Sequence, residues 1–141
     1  MQQFVRWLVL ATITATLSCT VTRPPAPLPK DDGKLEVTFV QVNDVYEISP
    51  TSGGNAGGMA RVATIKKEYK SQNLNTFLVM SGDFLSPSIY NSLTFQGKRI
   101  RGKQMVESMN SAATDIVVFG NHEFDVSETE LQERINESNF Q

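Results

Sequence analysis

Three short segments hold the side chains best suited to chemistry: Asn43-Asp44-Val45-Tyr46-Glu47, Ser81-Gly82-Asp83-Phe84 and Gly120-Asn121-His122-Glu123-Phe124-Asp125. Each follows a run of β-branched or apolar residues, so each reads as the loop that leaves a strand. Brought together, the carboxylates of Asp44 and Asp83 would repel and take up protons, unless a divalent cation supplied the opposite charge. With the amide oxygen of Asn121 they form an all-oxygen donor set, suited to manganese, magnesium or calcium better than to a soft metal. His122 is the only histidine in the chain. It stands one residue after a potential ligand, where an imidazole can donate a proton or hydrogen bond to an anion. Asp125, three residues on, can fix the ring's tautomer and raise its pKa.

Each residue alone has an ordinary reading. Asp44 and Asn121 are common turn residues, Asp83 could cap a helix, and a lone loop histidine is usually solvated. Their recurrence at three successive strand ends favours a shared site. Gly82 and Gly120 would allow sharp turns and close approach there. The basic group Lys98, Arg99, Arg101 and Lys103 is a solvated loop or a phosphate-binding patch. Met59, Met105 and Met109 read as core packing.

The surrounding pattern shows how the loops are positioned. Residues 35–42 (LEVTFVQV), 76–80 (TFLVM) and 115–119 (DIVVF) read as strands, the last two as buried parallel ones. Between them, residues 59–70 place Met59, Val62, Ala63 and Ile65 near one helical face and Lys66, Lys67 and Lys70 on the other, and residues 102–112 space Met105, Val106 and Met109 helically. Ser127 and Glu130 form a capping box that opens a helix over 127–138. Alternating strands and helices imply a parallel sheet with helices on its faces. In such sheets ligands bind beyond the carboxyl ends of the strands, where the three segments lie.

The first thirty residues differ in kind. They contain three of the 13 basic groups and none of the 15 acidic ones. Residues 7–18 (WLVLATITATLS) are uncharged, too short to span a bilayer, and follow a basic start, as in a secretory signal. Cys19, the only cysteine, follows at once, in the position of a lipoprotein's acylated cysteine. Ser18 suits that reading, although Thr16 stands where leucine is usual. Residues 22–34 open with four prolines in eight positions and read as an extended spacer. The expected organisation is therefore a signal or lipoprotein signal over 1–19, a linker over 20–34 and a folded part over 35–141. The expected location is the periplasm or cell surface, with possible membrane anchoring through lipidated Cys19. A net charge of −2 argues against a nucleic-acid polymer as partner. One cysteine and one histidine exclude a disulfide framework and a metal site built from several such residues.

These motifs resemble the calcineurin-like metallophosphoesterases, and more closely their 5′-nucleotidase branch, whose motifs read D-x-H, G-D and G-N-H-[DE]. GNHEFD at 120–125 matches letter for letter, VMSGDFLSPS at 79–88 matches well, and GGMARVATIKK at 57–67 resembles the helix after the first motif. The resemblance covers about residues 35–141. It implies an α/β fold: a partial metallophosphatase-type sheet of mostly parallel strands with flanking helices, preceded by an unstructured or helical signal segment. It implies two divalent metal ions (Mn, Mg, Zn, Co or Ca) and an activated water attacking the phosphate of a nucleotide or other phosphate ester. By position, Asp44 would bind the first metal, Asp83 would bridge both, and Asn121 would bind the second. His122 would donate to the phosphoryl oxygen or leaving group, and Asp125 would orient it. Tyr46 stands where the family's first motif has histidine. The family's later histidine ligands and C-terminal domain have no counterpart in the sequence. A truncated enzyme is thus expected, and the rival expectation is a non-catalytic, surface-anchored binding domain.

Overall fold

The computed structural model describes residues 33–141; the expectations for the signal, Cys19 and most of the proline-rich linker lie outside that range. From Lys34 to Gln141 the chain forms one unit. Its strands are β1 (Thr38–Val42), β2 (Thr76–Ser81), β3 (Thr94–Phe95), β4 (Lys98–Arg99) and β5 (Ile116–Val118), and its α-helices are α1 (Met59–Gln72), α2 (Lys103–Ser111) and α3 (Glu128–Glu137).

β1, β2 and β5 form a parallel sheet in the order β1-β2-β5, with Thr38 opposite Thr76 and Val79 opposite Ile116. Sequence order and spatial order agree, as expected when each crossover carries one helix. The loop leaving central β2 therefore lies between those leaving β1 and β5. β3 and β4 form a small antiparallel hairpin, so Lys98 and Arg99 lie in a short strand and not in the expected loop. Two-residue strands are too short to show an alternating pattern. The turn residues Gln96 and Gly97, both at positive φ, were the available signal.

The core lies against one face of the sheet. Leu78 and Met80 of β2 pack with Met59, Phe84, Leu85, Met105, Val106, Met109 and Val126. On the opposite face Phe39 is 64% exposed and Val118 56%. The parallel sheet with flanking helices is as expected; among the described residues the helices lie on one of its faces. The same finding corrects the reading of 115–119 as a buried strand. β5 is at the sheet's edge, and Ile116 and Val118 point to the uncovered side. Its outer edge meets the chain again, where Val117 N–H donates to Gln141 O at 2.6 Å and Gln141 N–H to Asp115 O at 3.1 Å.

α1 also departs from expectation. Ile65 is exposed and Lys66 is buried. Position 66 follows Met59 by seven residues and Val62 by four, so helical geometry places it on the core stripe. The lysine is accommodated because its Nζ reaches Asp115 Oδ2 at 2.8 Å and also donates to the Ala113 carbonyl. The same Asp115 oxygen accepts the Leu78 N–H at 2.7 Å, tying α1, β2 and the start of β5 together. Burial pushes the Asp115 carboxyl up, but the Lys66 and Leu78 hydrogen bonds and the charges of Lys66 and Lys70 outweigh it, leaving the pKa lowered. A lowered carboxyl stabilises the fold above its unfolded pKa and loses that contribution as pH falls through the folded one. Asp115→Asn should therefore cost about 1–3 kcal/mol at neutral pH. Urea denaturation across the acid range should show the gap from the native chain narrowing as pH falls.

α3 begins as its capping box predicts. Glu130 N–H donates to Ser127 Oγ at 3.3 Å and Ser127 N–H to Glu130 Oε2 at 3.0 Å. Its acids meet the basic group of residues 98–103: Lys98 pairs with Glu133 at 3.2 Å, Arg101 with Glu130 at 3.3 Å and Lys103 with Glu137 at 3.1 Å. Three of the four basic side chains are thereby neutralised. This favours a structural role over the phosphate patch.

Candidate active site

Sheet order brings the three loops side by side. Asp44 N–H donates to Gly82 O at 3.1 Å, so the β1 and β2 loops stay joined beyond the last strand residue. His122 N–H donates to Asp83 Oδ1 at 2.9 Å, joining the β2 and β5 loops through a proposed metal-bridging carboxylate. Asp44 and Asp83 adopt φ of 53° and 58°, the left-handed region that only a few residue types tolerate. Two carboxylates in that conformation at adjacent strand ends are stored strain of the kind found at functional sites.

Glycines make the approach possible. Gly82 has φ of 90°, and a Cβ there would lie 2.7 Å from Gly120 N and 2.9 Å from Gly120 Cα. A Cβ on Gly120 would overlap the Asp83 carboxylate. The two backbones pass where no side chain fits.

Asp44 is held by its own loop. Asn43 Nδ2 donates to its Oδ2 at 2.6 Å and Tyr46 O–H to its Oδ1 at 3.0 Å. These hydrogen bonds, Asn43's first, keep its pKa below the usual carboxylate value. Tyr46 is pushed up to about 12, first by removal from water and then by its bond to Asp44. It is therefore a neutral phenol that donates to a candidate ligand. Its ring meets His122 edge-on, with centroids 6.2 Å apart.

His122 and Asp125 occupy a short 3₁₀ turn, His122–Asp125, which brings Nδ1 within 2.7 Å of Asp125 Oδ2. The hydrogen bond that the imidazole donates to Asp125 is the largest cause raising the His122 pKa, ahead of the opposing loss of hydration. The same bond holds Asp125 low. A raised histidine pKa contributes stability that is fully present below the unfolded value of about 6.5 and is lost as pH rises through the folded one. The lowered Asp125 contributes above its unfolded value and loses this as pH falls. With one histidine in the chain, an NMR titration reads His122 without ambiguity. Its midpoint should lie above that of a free imidazole, and Asp125→Asn should move it down.

Glu123 is the site residue that sequence reading missed. It is completely buried, and its oxygens accept four backbone N–H groups. Oε1 accepts those of Phe84 at 2.7 Å and Leu85 at 3.1 Å, and Oε2 those of Asp83 at 2.8 Å and Gly120 at 2.7 Å. A glutamate in a turn motif gives no sign that its partners lie on another loop.

Asp44, Asp83 and Asn121 offer oxygen donors on adjoining loops, which fits part of a site for a hard divalent cation. Among the described residues, no three His, Cys, Asp or Glu side chains cluster closely enough to hold a metal ion by themselves. An amide or groups from outside these residues would have to complete the coordination.

No protein-family profile matches the chain. Its sequence is 31% identical over 102 residues to a snake venom 5′-nucleotidase of Gloydius brevicauda, a match covering 66% of this chain and 16% of that protein. It is 28% identical over 107 residues to the trifunctional nucleotide phosphoesterase YfkN of Bacillus subtilis, covering 76% of this chain and 6% of that one. The crystal structure of the calcineurin-like phosphoesterase YfkN from Bacillus subtilis superposes with a TM-score of 0.53 at 21% identity, over 74% of this chain and 35% of that one. The chain thus spans about a sixth of the venom relatives it matches. In sequence the chain is thus similar to part of the 5′-nucleotidases, and it has the fold of a calcineurin-like phosphoesterase.

Proposed function

We propose that these loops are part of a metal-dependent phosphoesterase site for nucleotide phosphate esters. The observation that carries this reading is the His122–Asp125 pair at 2.7 Å, with the His122 backbone bonded to Asp83. Asp44, Asp83 and Asn121 would hold divalent cation. When bound, the cation would supply Lewis-acid polarisation of the phosphoryl group. His122 would present Nε2 to a phosphoryl or leaving-group oxygen, because Asp125 occupies its Nδ1. Asp125 would keep the imidazole oriented and favour the protonated, donating form. The likeness to 5′-nucleotidases supports a nucleotide as substrate, and the apolar segment before Cys19 supports export to the periplasm or cell surface. Among the described residues, no helix is long and apolar enough to cross a membrane.

A second reading is a binding domain without catalysis. It is favoured by Tyr46, whose phenol engages Asp44 where the family places an imidazole.

The test is hydrolysis of AMP and of a chromogenic phosphate ester by the full chain with added Mn²⁺. His122→Ala should lower the rate about 10²-fold or more, and Asp83→Asn should weaken Mn²⁺ binding in calorimetry. Equal rates in His122→Ala would remove the catalytic reading. Mn²⁺ binding with no turnover would support the second one.

A further inference from the structure

We propose that Glu123 is the positioning residue of this site: its carboxylate clamps the loop after β2 to the loop after β5, and so fixes Asp83 against Asn121 and His122. The inference rests on the phosphoesterase reading only for what the loops hold, not for the clamp itself.

The four donors come from both sides of the site. Asp83, Phe84 and Leu85 leave β2, and Gly120 leaves β5. Oε2 accepts one amide from each loop, Asp83 N–H and Gly120 N–H. Without it, the N–H groups of Asp83 and Gly120 would lose their shared acceptor where the two backbones touch. Oε1 holds the continuation, Phe84 and Leu85, whose side chains are 2% and 0% exposed in the core. The clamp therefore connects the site to the packed interior. Glu123 also lies directly between the functional neighbours: His122 precedes it, and Asp83 both donates to its carboxylate and accepts from the His122 N–H. Shifting one loop against the other would break that reciprocal pair and move both candidate ligands.

Glu123→Gln keeps shape and length but turns one acceptor oxygen into a donor. The comparison is Met109→Ala, which opens the core within α2 and leaves both loops' hydrogen bonds intact. Amide hydrogen exchange on the full chain should show Asp83, Phe84, Leu85 and Gly120 exchanging at least about ten-fold faster in Glu123→Gln than in Met109→Ala, after matching global stability with denaturant. Mn²⁺ affinity should fall about 10–100-fold in Glu123→Gln, as for other outer partners of metal ligands, and stay near native in Met109→Ala. Should Glu123→Gln fail to fold, Glu123→Asp, with both oxygens on a shorter stem, is read the same way. The clamp is overturned if the four amides exchange no faster than in Met109→Ala. If Mn²⁺ binds neither native chain nor variant, the metal reading falls, and the four amides still decide for or against Glu123.

Discussion

Gly82→Ala should destabilise the fold by about 3–5 kcal/mol, through two separable causes. The first is conformational: φ of 90° is hostile to any residue with a Cβ. The second is steric. The new methyl would meet the backbone of Gly120 and the carbonyl carbon of Phe119, at 2.7–3.3 Å. No side-chain rotation relieves a clash with backbone, so the β2 and β5 loops would have to part. Gly97→Ala separates the causes, because φ is 80° there and nothing lies within 4 Å of the added carbon. It should cost only the conformational part, about 1–2 kcal/mol. Equal losses for the two variants in urea denaturation would show that the loops are not packed as tightly as described. Beyond stability, Gly82→Ala should displace Asp83 from the His122 N–H and weaken cation binding in the fraction that stays folded.

Leu78→Ala is expected to cost about 3 kcal/mol, within the usual range of 2–5 for a buried leucine. Leu78 is 1% exposed at the middle of the central strand. Among the described residues the core lies on one side of the sheet, so few neighbours can move in to fill the space. Its backbone stays pinned, since its N–H donates to the Asp115 side chain and its carbonyl accepts the Asp115 N–H at 3.0 Å. The hole should therefore persist rather than collapse. Total stability of a domain this size is commonly ~5–15 kcal/mol, so the loss is a large share. A shift of the urea midpoint worth less than about 1 kcal/mol would mean that the core is looser than it looks.

Residue pattern alone revealed the α/β order because the signals were local. TFLVM is a short apolar run, MARVATIKKEYK has helical period, and Ser127 with Glu130 announces a helix start. That the loops carrying Asp44, Asp83 and Asn121 adjoin follows from the rule that parallel strand ends gather sites. What stayed hidden depended on partners distant in sequence. Lys66 looks solvated until Asp115 is seen to receive it. Ile116 looks buried until β5 proves to be an edge strand. Glu123 looks like one more acid until amides 38–40 residues away are found pointing at it. Tyr46 stands out in the motif as a replacement for histidine, but nothing in the motif says that its hydroxyl donates to Asp44.

The face of the sheet that the described residues leave uncovered has a thermodynamic consequence. Phe39, Ile116 and Val118 are already in contact with water in the native state. Unfolding hydrates them less than it would a fully covered face, so the heat-capacity increment should fall below the usual ~12–15 cal/mol/K per residue. The curve of free energy against temperature should be correspondingly flat, with a shallow maximum and a broad melting transition, and the urea dependence should be gentler than chain length suggests.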